Sequence, residues 1–223
     1  MRQLFILFSF FYCITINAQS ETDIIDNDYL EDQFYLSLAY NVVLDKPEDM
    51  AQNGFSGGVT MGFIRDLPVN EQRTFGFGLG LGYRFNVLVH NLLVEEVSNN
   101  LQFTVAQDYT TNRWTFNSVE LPIEIRWRNS SPSKYRFWRV YTGVKFLYIF
   151  TSKTKFRDSS SEIVLRNIDG INNFQYGLQL SAGYGNWNLF VYYGLKSMFK
   201  ESQINNEVAN IKDLSVGIKF YIM

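Results

Sequence analysis

The sequence predicts an all-β fold: an eight-stranded antiparallel transmembrane up-and-down β-barrel. Three observations carry that expectation. Thr74–Val89 alternates without a break over sixteen residues; seven further stretches share its period; and the links between them alternate in length. In TFGFGLGLGYRFNVLV, Phe75, Phe77, Leu79, Leu81, Tyr83, Phe85, Val87 and Val89 fall on one parity, and Gly76, Gly78, Gly80, Gly82, Arg84 and Asn86 on the other. A period of two is a β-strand with one apolar and one small or polar face. Ordinary strands run about 3–10 residues. At about 3.3 Å per residue and a tilt near 45°, sixteen residues suit a transmembrane barrel strand with its apolar band and aromatic rims.

The chain opens with Arg2, an apolar run Leu4–Ile16 and the small-residue end Asn17-Ala18, the pattern of a secretory signal peptide over 1–18. The run is too short for a spanning helix. Cys13 is the one cysteine and follows the bulky Tyr12, where a lipobox has a small residue; beyond residue 18 no disulfide is available. Residues 19–32 form an acidic segment with Glu21, Asp23, Asp26, Asp28, Glu31 and Asp32 and no basic residue. It reads as a solvated leader, with a periplasmic docking tail as the sharper alternative.

Residues 33–223 supply the barrel. Phe34, Leu36, Leu38, Tyr40 and Val42 give the first face, and Phe55, Val59, Met61 and Phe63 the second; Thr74–Val89 is the third strand. Val119, Leu121, Ile123, Ile125 and Trp127 form the fourth, opposite Glu120, Pro122, Glu124, Arg126 and Arg128. Pro122 removes a ladder hydrogen bond, so a bulge is expected there. Val140–Phe150 is the fifth, Phe174–Tyr184 the sixth, Trp187–Lys196 the seventh after a tight Gly185-Asn186 turn, and Leu214–Ile222 the eighth. Links three (90–116, with a hairpin near Leu101–Gln107), five (153–172) and seven (200–212) are long, whereas links two, four and six are short. Outer-membrane barrels show this asymmetry, which places both termini in the periplasm and the long loops outside.

The faces separate this reading from a soluble eight-stranded barrel, which turns apolar residues inward. Here the second face is mostly Gly, Ser, Thr, Asn and Gln, and four alternate glycines fit a cramped lumen filled by side chains. Arg84, Glu120, Glu124, Arg126, Lys145, Lys196 and Lys219 then point inward. Because an isolated buried charge costs several kcal/mol, they are expected to form a salt-bridge network; a proton or ion path is the sharper reading. Aromatics make up 17% of the chain, 14 Tyr and 20 Phe among them, enough for two girdles. With 19 basic and 22 acidic residues after residue 18, nucleic acid is not an expected partner; outer-membrane lipid is.

The segments Val119-Glu120-Leu121-Pro122-Ile123-Glu124-Ile125, Phe137-Trp138-Arg139-Val140-Tyr141-Thr142-Gly143, Tyr176-Gly177-Leu178 and Leu189–Phe199 resemble the PorT family of Bacteroidota outer-membrane proteins. That porin-like resemblance implies a non-enzymatic component supporting type IX protein secretion or gliding motility, with partners in the secretion machinery or envelope. A small porin-like or adhesin-like barrel with external binding loops is the alternative. The chain ends Phe-Tyr-Ile-Met rather than on the aromatic such barrels often carry.

Enzyme chemistry finds little to stand on. His90 is the only histidine, near the end of the third strand, and neither Ser98 nor Ser118 is fixed beside it as a nucleophile. Gly78-x-Gly80-x-Gly82 has the wrong spacing for a dinucleotide fingerprint and no helix follows it. One His and no cysteine beyond residue 18 suggest no transition-metal site, and Asp45, Glu48 and Asp49 offer at most a loose calcium loop. No cofactor is expected.

Overall fold

The computed structural model describes residues 32–97, 100–129, 136–200, 203–204, 207–208 and 210–222. The expected signal peptide and most of the acidic leader lie outside the described residues. There are thirteen strands and no helix among the described residues: β1 Asp32–Leu44, β2 Gly57–Pro68, β3 Phe75–Val89, β4 Leu92–Val97, β5 Asn100–Val105, β6 Thr111–Arg128, β7 Trp138–Arg157, β8 Glu162–Arg166, β9 Phe174–Tyr184, β10 Trp187–Gly194, β11 Gln203–Ile204, β12 Glu207–Val208 and β13 Lys212–Ile222.

Eight of these close into a barrel in the order β1, β2, β3, β6, β7, β9, β10, β13, every neighbour antiparallel and consecutive along the meander. Closure leaves no unpaired edge, the condition for backbone polar groups to survive in lipid. The remaining strands belong to the long links: β4 and β5 are a hairpin, β8 pairs with the far end of β7, and β11 joins β5. Two ends follow. The turn end holds the start of β1, the β2–β3 turn, the ends of β6 and β9 and the end of β13; the loop end holds everything else.

The parity of the sequence becomes the wall. Phe34 (62% exposed), Leu81 (60%) and Leu189 (69%) face outward in an apolar belt, far more than a water-facing surface carries. Aromatics ring both ends of it. Trp138 packs on Tyr184 at 5.5 Å and Trp187 on Phe220 at 4.9 Å at the turn end; Tyr83 meets Phe150 at 6.3 Å and Tyr40 meets Phe55 at 5.7 Å at the other. In the tight β9–β10 turn Gly185 takes φ 60° ahead of Asn186, the arrangement of a II′ hairpin.

Two strands run longer than the sequence pattern indicates. β6 starts at Thr111 rather than Val119, and β7 continues to Arg157 rather than Phe150. On β7 the reason is a β-bulge: Asn117 pairs with Thr151 but Ser118 with Ile149, leaving Phe150 extra. β6 keeps its even-numbered residues inward throughout, but that face turns from polar to aromatic at Phe116 and Trp114, which hides the extension. Inward residues of β7 are odd-numbered up to Ile149 and even-numbered from Ser152, so a single-parity reading stops at the bulge. The bulge expected at Pro122 is therefore a correction. Pro122 stays in register with Lys145 of β7; on its other side the β3–β6 ladder lapses at Gly80 and Leu81, the local cost of a missing N–H.

Candidate functional site

The interior of the barrel is built in layers. Near the turn end Arg126 donates to Glu124 (2.8 Å), Asp66 (3.0 Å) and Gln33 (3.1 Å), and Arg128 also bonds Asp66. Above them Lys145 meets Glu120 at 3.0 Å, Tyr35 donates to the same carboxylate at 2.8 Å, Gln179 donates to Glu124 at 3.0 Å and Lys219 approaches it at 3.7 Å. Higher still Arg84 donates to Asp213 (2.9 Å), Ser215 (2.8 Å) and Asn41 (3.3 Å). Several of these bonds cross the lumen: Lys219 of β13 stands four strands around the barrel from Glu124 of β6, and Arg84 of β3 three from Asp213 of β13. Only a narrow barrel allows this.

The glycine row makes the crossings possible. A Cβ on Gly78 would sit 2.5 Å from Arg126 Nε, and one on Gly62 2.5 Å from the Tyr35 hydroxyl, which also overlies Gly82. Sequence parity placed Arg84, Glu120, Glu124, Arg126, Lys145 and Lys219 inside, and there they lie, buried. Lys196 does not join them. β10 ends at Gly194, the chain turns into the loop, and Lys196 lies half-buried with Nζ 5.9 Å from the outward-facing Phe174 ring. Arg128, on the inward parity of the fourth strand, is buried with the network, and so are three residues outside the expected set: Asp66 at the start of the second link, Asp213 between the seventh link and the last strand, and Arg139 just before the fifth strand. Extending strict alternation through Tyr35, Tyr141, Tyr192 and Tyr221 finds the buried tyrosines as well.

Toward the loop end the filling turns apolar. Leu88, Trp114, Phe116 and Ile149 from the staves pack with Leu92, Val94, Ile168, Met198 and Phe199 from the links into one buried cluster. The links are also stitched by polar side chains. Asn91 donates to the Asp49 carbonyl (2.8 Å) and accepts from the Ala51 N–H (2.7 Å), while Asn172 donates to the Ser197 and Phe199 carbonyls at 2.9 and 2.8 Å. The long links thus form a folded cap whose core seals the lumen.

His90 is part of that core: 1% exposed, its ring 5.2 Å from Trp114, its Nδ1 accepting the Leu92 N–H at 3.2 Å. Ser118 faces the lumen instead and donates to the Arg84 carbonyl at 3.4 Å; the Ser98 alternative lies outside the described residues. Burial pushes the His90 imidazole down to about 3. A depressed folded value means stability is full above about pH 6.5, where neither state binds the proton, and falls toward pH 3 as only the unfolded chain takes it up. Between pH 6 and 4 wild type should lose about 1.4 kcal/mol per pH unit more than His90→Asn, read by urea titration in lipid vesicles. Parallel curves for the two proteins would refute the assignment.

Outside, the extended part of β6, β7 and β8 presents a basic strip. Arg113 stands opposite Lys155, Thr115 opposite Lys153, and Lys153 opposite Arg166. On β6 and β7 these alternate with the buried Trp114, Thr154 and Phe156, and Arg166 is exposed on β8, so the strip faces away from the cap core. Glu162 is the one carboxylate among them, 3.0 Å from Lys155 and 3.6 Å from Arg157. The strip begins three residues past Phe150, above the aromatic rim. Among the described residues no group of three His, Cys, Asp or Glu side chains is placed to share a metal ion, and Asp45 pairs instead with Lys212 at 2.8 Å.

A sequence model of the family described as "Outer membrane protein beta-barrel domain" matches residues 17–200. No curated protein matches the chain. Among solved structures, that of Ail, the attachment invasion locus protein of Yersinia pestis, is similar at 10% identity and a TM-score of 0.36, over 86% of this chain and 98% of that one. The same protein in complex with the heparin analogue sucrose octasulfate gives 11% identity and a TM-score of 0.37, with the same coverage.

Proposed function

The chain belongs to the outer membrane protein β-barrel domain family, and from that premise we propose that it is a non-enzymatic, adhesin-like barrel working through its folded cap. The turn end faces the periplasm and the cap faces outward. The observation that carries this reading is the filled lumen. Buried ion pairs occupy its lower half and an apolar core its upper half, which leaves the outer surfaces as the working part. The partner chemistry follows from the strip Arg113, Lys153, Lys155, Arg157 and Arg166, which suits a phosphate- or sulfate-bearing glycan. At about 3.3 Å per residue along a strand tilted near 45°, Lys153 to Arg157 stand roughly 7–16 Å above the Phe150 rim, at the level of outer-leaflet sugars and phosphates.

Two measurements test the proposal. The purified protein in neutral detergent should bind dextran sulfate. The quadruple variant R113Q/K153Q/K155Q/R157Q should bind at least tenfold more weakly, and 0.5 M salt should weaken wild type similarly, because exposed charges beyond a Debye length of about 3–10 Å are screened. Equal binding by the variant rules out the strip. In planar bilayers the protein should show no steady conductance; a stable open channel contradicts the sealed lumen.

A second reading is a role in type IX secretion or gliding motility, favoured by the resemblance of Val119–Ile125, Phe137–Gly143 and Leu189–Phe199 to the PorT family. Deleting the gene should then abolish secretion of proteins carrying type IX sorting domains. Normal secretion and motility in the deletion strain would leave only the adhesin-like reading.

A further inference from the structure

The turn end of the lumen holds more positive charge than its carboxylates answer. Along the whole lumen, among the described residues, six buried cations face four buried carboxylates, and the excess falls at the turn end. Three of the cations gather at one level: Arg128 stands opposite Arg139 in the β6–β7 register, and Arg126 opposite Tyr141. Asp66 and Glu124 serve Arg126 and Arg128. No carboxylate among the described residues serves Arg139. Its side chain is fully buried, and Nε, Nη1 and Nη2 all lack a hydrogen-bond partner. Its guanidinium lies only against rings, 4.6 Å from the centre of Phe137 and 5.6 Å from Tyr221. Nη2 of Arg126, Nη2 of Arg128 and the hydroxyls of Tyr141 and Tyr221 are unpaired as well.

A buried cation without a counter-charge is strongly unfavourable, and water, which accepts hydrogen bonds, brings no charge. An oxyanion supplies both, and a planar guanidinium fits a carboxylate with two parallel bonds. We propose that Arg126, Arg128 and Arg139 form a carboxylate-binding site, and that its occupant is the acidic stretch 19–31 of the same chain. That stretch carries five carboxylates and no basic residue. It enters the wall beside the site, because β1 begins at Asp32 and the Gln33 side chain is already bonded to Arg126 at 3.1 Å. Glu31 and Asp28 lie one and four residues before Asp32, and an extended chain covers about 3.3–3.6 Å per residue, enough to reach across a narrow mouth. The leader then supplies the counter-charge that the turn end of the lumen lacks.

The test uses the full chain with Cys13→Ser and Asn27→Cys, and follows labelling of the new thiol by a bulky, charged maleimide. Labelling should be at least tenfold slower in the folded protein than in urea. It should accelerate tenfold or more with Arg139→Gln, and equally with E21Q/D23N/D26N/D28N/E31Q, which leaves the barrel untouched. A heat-dependent gel shift verifies that each variant is folded. Labelling as fast as in urea, or unaffected by either change, overturns the proposal. Inorganic phosphate provides the second arm. Competition that speeds wild-type labelling supports a leader-occupied site; calorimetric binding of phosphate equally tight in wild type and in the neutralised-leader variant shows a free-anion site and overturns the assignment of the leader.

Discussion

Replacing Glu120 with glutamine should destabilise the barrel by about 3–5 kcal/mol, the range for removing one partner of a buried ion pair. The size of the effect follows from what is left behind. Lys145 is 3% exposed, its one carboxylate contact is Glu120 at 3.0 Å, and otherwise it faces rings, Phe190 at 6.0 Å and Tyr192 at 5.6 Å. Glutamine keeps a single acceptor oxygen, so it can serve either the Tyr35 hydroxyl or the Lys145 ammonium, not both. Losing Arg126 would strand less, because Asp66 keeps Arg128 and Glu124 keeps Gln179 and Lys219. Lys145→Met should cost a similar amount to Glu120→Gln. The double variant should cost far less than the sum, because no unpaired charge then remains. Urea titrations of all four proteins in lipid vesicles, followed by the gel shift of the folded form, give the coupling. Additive losses would show that the two side chains act independently.

How much of this network the sequence disclosed depends on which residues obey the period of two. Arg84, Glu120, Glu124, Arg126, Lys145 and Lys219 sit in unbroken alternation and are placed inside by parity alone. Which groups pair is not legible that way, because partners lie on one strand (Arg126 and Glu124), on neighbouring strands (Glu120 and Lys145) or three and four strands apart across the lumen (Arg84 and Asp213, Lys219 and Glu124), and parity carries no information about that choice. Asp66 and Asp213 escaped for a different reason: each lies next to a strand end, where a charged residue reads as loop. Lys196 shows the converse error, since alternation continues on paper past Gly194 while the chain has already left the sheet. The cap is the least legible part. Its core needs β6 and β7 to run on beyond the belt, and the bulge at Phe150 reverses the parity on which the extension of β7 would be recognised.

The second large effect belongs to the glycine row. Gly82→Val should prevent folding or cost well over the roughly 1–3 kcal/mol of ordinary overpacking, whereas Leu81→Ile, on the lipid side of the same strand, should be nearly neutral. A Cβ on Gly82 would collide with the Tyr35 hydroxyl and lie 3.1 Å from both Glu120 Cγ and the Met61 carbonyl oxygen. The first can move only by giving up its 2.8 Å bond to Glu120, and the carbonyl is held in the β2–β3 ladder. Gly80 is equally closed, with Pro122 Cγ at 2.9 Å and the Phe63 carbonyl oxygen at 2.8 Å, so a bulky residue there should hinder folding more than Leu79→Ile. Tyr35→Phe separates steric from backbone causes: it removes the oxygen nearest Gly82 while leaving the ring. If the hydroxyl is the obstacle, Gly82→Ala should be tolerated better when combined with Tyr35→Phe than in the presence of the native Tyr35, seen as a larger fraction of gel-shifted protein after refolding into lipid. Equal yields in both backgrounds would place the constraint in the ladder, and the row of glycines would then serve strand approach rather than the side chains that fill the lumen.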